Sequence, residues 1–452
     1  MTDTTVQTTG DVANAERFVT SHGQRFRYVA ATRRWLVYRD GVWRDDPDRI
    51  AARAAAEQVA RGLLTEAAAE TDPDRRKALT DEARRLQSDR RLQAMLDVAE
   101  PHLAVTVDQL DADPWLLNVR NGVVDLRTAE LLDHDPKMLL TRQADASYQP
   151  DTYGAGWAAF LETILPDESV RTFVQRLVGA AVVGTQRDHV LPILFGTGAN
   201  GKSTLLGALD RTLGDYAGKV AVTVLTGATE DRTGATPELV ALRGRRLVVA
   251  DEPEAGARLR EAMIKRLTGG DRIVARGLYS DPIEFTPAHT LLLVTNHRPQ
   301  VLGTDDGIWR RLLLVPFSET VPPHRQDPDL PAKLAAEADA VLTWTVNGCL
   351  AYQQRGLAPP AEVRAATDAY RAESDHLAGF LEDACLLSDT VKTPGGQLYD
   401  AYTEWCRQAG YEPVNATTFG TQLTDKGYPS TKIRGRMVRR GIALKSDREE
   451  AA

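Results

Sequence analysis

The sequence predicts an α/β protein built around a parallel sheet, flanked by a mixed helical N-terminal domain and a small C-terminal unit of helices and strands. Four short apolar runs, HVLPILF, RRLVVAD, HTLLLVTN and RLLLVPF, fall between residues 189 and 317 and alternate with polar, helix-compatible text. Strands buried on both faces and joined by crossover helices read this way. The first run leads straight into GTGANGKS, Gly196 to Ser203, and then into helix-compatible STLLGALDRTL. A third observation sets off the C-terminal unit: KGYPSTKIRGRMVRRGIALK, residues 426 to 445, carries seven Lys or Arg and no acid.

Taken in order, the chain opens on polar text, MTDTTVQTTGDVANAERF, with the character of neither a secretory signal nor a basic transit helix. Residues 27 to 44 hold two β-prone runs around Asp40-Gly41, a strong hairpin signal. An Ala/Glu/Arg-rich helical stretch covers about residues 49 to 99, with TDPD at 71 to 74 as a stop and a fresh N-cap. A second strand pair surrounds Asn121-Gly122, and GAGWAAFLETILPD opens a new helical region that places a domain boundary at 154/155. The predicted divisions are therefore 1–154, the sheet domain 155–330, a helical connector 331–384 and a C-terminal unit 385–452. In the last of these, Leu398, Tyr402 and Trp405 share a helical face, and Asn415 is placed to cap a second helix carrying Phe419 and Leu423. That order, with a basic strand pair after it, fits a winged helix.

Composition excludes several classes. With 452 residues, 42% hydrophobic and 26% charged, the chain affords cores for roughly two to four domains. A net charge of −8 argues against bulk electrostatic coating of nucleic acid, so such binding needs local basic surface. The sequence has no run of about 18 apolar residues to span a bilayer, and a cytoplasmic setting is expected. Cys349, Cys385 and Cys406 lie far apart without paired spacing, which supports neither a disulfide framework nor a zinc site.

GTGANGKS fits G-x-x-x-x-G-K-[ST]. In that pattern the backbone N–H groups of Gly196, Thr197, Gly198, Ala199, Asn200 and Gly201 and the helix N-terminus at Ser203 and Thr204 surround phosphates. Lys202 pairs with the β/γ oxygens and Ser203 contacts Mg²⁺. The acidic end of the second run, Asp251-Glu252, suits Mg²⁺ binding through Asp251 and orientation of an attacking water. Asn296 ends the third run, where an amide can reach that water or the γ-phosphate; the bland alternative is a turn former. Between them, Arg272 and Arg276 fall on one side of an alternating segment by period two, suited to a phosphate backbone or simply to a solvated edge. GTDDGIWRRLLLVPF puts Arg310 and Arg311 side by side before the fourth run. Paired arginines there often just cap a strand.

The ordered set GTGANGKS, RLVVADEPE, KRLTGGDRIVARGLY, LLLVTNHRP and DDGIWRRLLLVPF resembles the superfamily 3 helicase domain, and more closely the helicase half of phage and plasmid primase-helicases, including that of poxviruses. DADPWLLNVRNGVVDLRTAEL resembles the domain that precedes the ATPase there. The resemblance implies an AAA+ P-loop ATPase core, a hexameric ring, ATP and Mg²⁺ as requirements, and DNA as partner: a single strand in the channel and duplex at the winged helix. It implies Walker roles for Lys202, Ser203, Asp251 and Glu252, a sensor role for Asn296, channel placement of Lys265, Arg272 and Arg276, and an arginine finger at Arg310 or Arg311 reaching the neighbouring subunit. In the tail, Lys432, Arg434, Arg436, Arg439 and Arg440 are the candidate DNA contacts. Asp111/Asp113 and Asp46/Asp48 form Asp-x-Asp pairs, but as turn acids without catalytic context. The expectation is thus a replicative helicase half without its primase, with a separate primase as a further partner; an ATP-dependent origin-binding initiator or loader, or a small-molecule phosphotransferase, are the rivals.

Overall fold

The computed structural model describes residues 9–227, 235–278, 281–302, 306–411, 413–433 and 435–445. The N-terminal part begins with α1 (Asp11–His22), β1 (Phe26–Val29), β2 (Arg34–Arg39) and β3 (Val42–Asp45), followed by α2 (Ile50–Ala69), α3 (Pro73–Leu86), α4 (Asp89–Leu103) and β4 (Ala104–Val105). Asp40 and Gly41, both at positive φ, make the two-residue turn between β2 and β3, as their residue types require. Asp72 caps α3 by accepting from Asp74 N and Arg75 N, and Asp46 caps α2 through Ala51 N and Ala52 N at 2.8 and 2.9 Å. The sheet, order β3-β2-β1-β4, packs Phe26 and Trp35 against Phe18, Leu63 and Met95 of the helices.

A three-stranded meander follows, β5 (Leu116–Val119), β6 (Gly122–Asp125) and β7 (Glu130–Leu132). Its first turn is one residue earlier than Asn121-Gly122 implies: Val119 pairs with Gly122, so Arg120 and Asn121 form the bend. The Asn121 side chain is engaged with the backbone of Tyr148, accepting from its N at 2.8 Å and donating to its O at 2.9 Å. This long-range pairing overrides the local turn preference of Asn-Gly.

The central region runs α5 (Ala155–Ile164), α6 (Glu168–Ala181), β8 (Leu191–Phe195), α7 (Lys202–Leu213), β9 (Ala217–Val220), α8 (Pro237–Val240), β10 (Leu247–Asp251), α9 (Glu261–Thr268), β11 (Ile273–Arg276), β12 (Pro282–Phe285), β13 (Thr290–Thr295), α10 (Asp306–Trp309) and β14 (Leu312–Pro316). All four apolar runs are strands of one parallel five-stranded sheet, order β14-β8-β13-β10-β9. The fifth strand, AGKV, is an edge that the sequence analysis missed. Alternate residues feed two cores. Leu194, Val249, Leu292 and Val315 meet the helices of one face, while Ile193, Val248, Leu293 and Leu314 face Ile264, Leu267 and Tyr370 on the other.

The chain continues through α11 (Leu330–Ala336), α12 (Ala338–Arg355), α13 (Ala361–Ser374) and α14 (His376–Ala384). Leu342, Val346 and Cys349 of α12 belong to the same core as Phe173 and Leu177 of α6. α12 crosses α6 at a glycine contact: a Cβ on Gly179 would lie 2.1 Å from the backbone of Gly348 and Cys349. The C-terminal unit is β15 (Cys385–Pro394), α15 (Gly395–Ala409), α16 (Ala416–Asp425), β16 (Ser430–Ile433) and β17 (Arg436–Leu444), with sheet order β15-β17-β16. Leu398, Tyr402, Phe419 and Leu423 are buried together, and Trp405 packs at the edge of that cluster. Asn415 caps α16 through Thr418 N at 2.9 Å. Among the described residues no helix is long and apolar enough to cross a membrane.

Because backbone rather than a movable side chain blocks the space, Gly179→Ala is expected to destabilise by about 3 kcal/mol or more, at the upper end for overpacking. Urea denaturation midpoints check this, with the open-sided Gly62→Ala expected to show no loss.

Candidate functional site

The carboxyl ends of β8, β10 and β13 meet at one edge of the sheet, and the predicted loop, acids and amide come together there. Gly196 to Gly201 link β8 to α7 with Gly198, Ala199 and Gly201 at φ of 106°, 48° and 77°. The three positive values curl the loop, so its amides converge. A Cβ at Gly201 would approach Ile164 Cγ2 to 2.4 Å, whereas Gly198 has open space beside it. Gly196 is pinned from below, where a Cβ would meet Asn200 Nδ2 at 2.3 Å and Phe317 O at 2.4 Å.

Lys202 opens α7 with only 4% of its surface exposed. Its Nζ donates to Gly196 O at 2.7 Å and to Asn296 Oδ1 at 3.1 Å, which joins loop and third strand directly. Burial pushes the ammonium below its usual pKa, and the nearby Glu252 carboxylate opposes that fall. Asn200 is also buried, and its Nδ2 has no acceptor among the described residues. An unused donor under a loop of converging amides suits an anionic ligand that brings the missing acceptor. Thr197 and Ser203 are exposed, and Thr204 is half-buried.

Asp251 ends β10 opposite Val294 and pairs with Lys219 at 3.4 Å. Glu252 takes φ of 40°, a conformation that costs a non-glycine residue energy, and its N–H donates to Val294 O at 2.9 Å. That bond holds the bend. Sequence reasoning missed two charged neighbours. Lys219 lies on the unpredicted β9, and Arg298, two residues beyond Asn296, sits over the Phe195 ring at 4.9 Å and is ion-paired with Glu373.

Arg310 and Arg311 lie elsewhere. Leu191 N donates to Arg311 O at 2.6 Å, and Leu312 pairs with Leu191 while Pro316 pairs with Phe195. The arginines therefore stand at the amino end of the strands, five residues or roughly 16 Å from the loop at about 3.3 Å per residue. The two differ. Arg311 is half-buried, with Nη1 donating to Gly307 O at 2.6 Å. Arg310 is exposed, and its guanidinium has no partner among the described residues.

The remaining cations divide likewise. β11 and β12 form a hairpin with Ile273 and Ala275 inward and Val274 and Arg276 outward. Arg272 is exposed and pairs with Glu284 at 3.4 Å; Lys265, on α9, is half-buried. At the other end, Lys432, Arg436 and Arg440 are exposed. Arg439 corrects the sequence expectation: it is buried, donating to Thr424 Oγ1 at 2.6 Å, Tyr428 O at 2.7 Å and Gly420 O at 2.5 Å. It ties α16, through Gly420 O and Thr424 Oγ1, to the chain that follows the helix at Tyr428 O. Arg434 lies outside the described residues. Asp111 accepts from Thr141 N at 2.7 Å and Asp113 pairs with Arg127 at 2.8 Å, so these carboxylates hold local structure.

Three families match the chain in register with these regions. Residues 15–166 match a family described as "D5 N terminal like", residues 194–311 a family of unknown function (DUF5906), and residues 372–437 one described as "Poxvirus D5 protein-like". The chain carries D5 N-terminal-like and poxvirus D5-like domains. Among curated relatives, "Putative helicase L207/L206" of Acanthamoeba polyphaga mimivirus is 30% identical over 319 residues, 66% of this chain and 33% of that protein. "Putative helicase 022R" of Frog virus 3 is 30% identical over 265 residues, 55% of this chain and 27% of that one. "Putative primase C962R" of African swine fever virus is 24% identical over 330 residues, covering 66% and 34%. The chain thus spans about a third of the length of these relatives. In fold it is similar to the apo structure of the NrS-1 C-terminal region, with TM-score 0.51, 10% identity, and 96% and 99% of the two chains covered.

Gly201→Ala is expected to cost more stability than Gly198→Ala. Both force a positive φ, at about 1 kcal/mol each, and only the first also collides with Ile164. Thermal unfolding of the two variants checks the order.

Proposed function

We propose that this chain is the ATP-hydrolysing subunit of a DNA helicase ring acting in replication of a phage, plasmid or integrated element. In this reading residues 155–330 form an AAA+ core and 385–452 a winged helix, with 1–154 the preceding domain and 331–384 joining the two. The observation that carries it is the pairing of a glycine-rich loop and buried Lys202 with an exposed Arg310 that has no guanidinium partner among the described residues and stands a strand's length from that loop. A guanidinium so placed serves a neighbour's site, not its own.

The loop amides from Gly196 to Gly201 and the first turn of α7 bind the phosphates of ATP, and Asn200 supplies its spare N–H. Lys202, freed from Gly196 O, turns to the β/γ oxygens. A Mg²⁺ ion, when bound, would neutralise phosphate charge, and Ser203 and Asp251 are the residues that would hold it. Glu252 orients the attacking water, with Asn296 as the second contact to that water or to the γ-phosphate. Arg310 of the adjacent subunit stabilises charge on the transferring group, a contribution of about 10³ to 10⁵ in rate. Arg311 keeps the turn closed through Gly307. Lys265, Arg272 and Arg276 contact a single strand in the channel, and Lys432, Arg436 and Arg440 contact duplex phosphates.

Lys202→Ala is expected to abolish ATP turnover. Arg310→Ala lowers it by about 10³ with nucleotide affinity and melting temperature unchanged, while Arg311→Ala lowers the melting temperature. Equal losses from both arginine variants at unchanged stability would contradict the assignment. Unwinding of a forked duplex tests the helicase reading itself; ATP-dependent DNA binding without strand displacement would make the chain an initiator or loader. Affinity for single strands should fall with salt by about 0.7 log units per log unit for each phosphate contacted, and Arg272→Ala/Arg276→Ala should flatten that slope.

A further inference from the structure

α13 touches both ends of the segment that separates Asn296 from Arg310. Near its end, Tyr370 is fully buried, with its hydroxyl donating to Pro299 O and its ring meeting Trp309 edge-on at a centroid distance of 5.3 Å. One residue on, Arg371 pairs with Asp306 at 2.6 Å, and Glu373 pairs with Arg298. Earlier in the helix, Thr367 Oγ1 accepts from Leu314 N at 3.0 Å, which ties α13 to β14 itself. Asp306 and Trp309 are the two ends of α10, and Arg310 N donates to Asp306 O at 3.1 Å. The arginine's backbone is thus held on one side by β14 and on the other by a short helix whose two ends rest on α13.

The same helix reaches back to the nucleotide edge. Pro299 and Arg298 follow Asn296 by three and two residues, Asn296 bonds Lys202, and Arg298 covers Phe195 at the root of the loop. A four-residue helix has too few internal hydrogen bonds to fix its own direction, so its aim depends on what it packs against. Resting on the trans role of Arg310 given above, we propose that α13 is a strut in which Tyr370 and Arg371 are positioning residues that aim Arg310 at the adjacent subunit's nucleotide. Neither residue touches that nucleotide. Tyr370 reaches Arg310 through Trp309, and Arg371 through Asp306.

Mixed assemblies test this, because they separate the chain that offers the guanidinium from the chain that offers the cradle. Arg310→Ala chains keep the cradle, and Lys202→Ala chains keep the guanidinium; turnover recovers when the two are mixed. Adding Tyr370→Leu to the Lys202→Ala chain is expected to cut the recovered kcat by about tenfold, since a misplacement near 1 Å can cost up to a hundredfold, at unchanged KM for ATP. Adding it instead to the Arg310→Ala chain should leave the recovery intact. Tyr370→Phe, which keeps the ring against Trp309, should retain most of it, and Arg371→Gln on the guanidinium donor should lower it. A defect of equal size in both positions, or in neither, overturns the strut. Failure of the parent mixture to recover at all would instead overturn the trans reading of Arg310, and the strut with it.

Discussion

The parallel pairing of β14 with β8 is the constraint on which the rest depends. Because the two strands run the same way with Leu312 opposite Leu191, whatever follows β8 lies at one edge of the sheet and whatever precedes β14 lies at the other. The glycine loop occupies the first position and the arginine pair the second. No side-chain rearrangement brings them together in one chain, since doing so would require sliding a buried strand by its own length. A register slip of even one residue would turn the Leu312 and Leu314 side chains to the wrong core. The separation is therefore as robust as the sheet.

At the carboxyl edge, the chemistry rests on groups placed at a cost. Lys202 is buried with its charge shared between a carbonyl and an amide, Asn200 has a donor without an acceptor, and Glu252 keeps an unfavourable backbone angle. The surrounding structure enforces each: Ile164 closes on Gly201, and Val294 O holds the Glu252 amide. Strain and unpaired donors of this kind mark a site prearranged for a ligand. The exposed Arg310 shows the opposite condition, its guanidinium without a partner among the described residues. The proposed division of labour between subunits follows from these two conditions.

Much of this was legible in the sequence, and the reasons are local. Strands such as LLLVT and LVVAD announce themselves because burial on both faces demands unbroken apolar text. The loop's glycines and lysine are readable because their backbone angles and chemistry admit few substitutes. β9 was hidden because AGKV is short and, at the sheet's edge, needs no apolar run. The bend at Arg120-Asn121 was misplaced because the deciding contact, Asn121 with Tyr148, spans 27 residues. Arg439 looks like its neighbours in sequence, and only its bonds to Gly420 O, Thr424 Oγ1 and Tyr428 O show that it faces inward. For the same reason nothing in WRR distinguishes Arg310 from Arg311; the bond to Gly307 O does.

The central claim is that one copy's cradle is completed by another copy's Arg310. It is tested most directly by ATP turnover per chain over a wide range of protein concentration, with the assembly state followed by analytical ultracentrifugation. If the site is shared, turnover per chain falls toward zero as dilution separates the subunits and rises with association. Turnover per chain that stays constant down to a monodisperse monomer would contradict it.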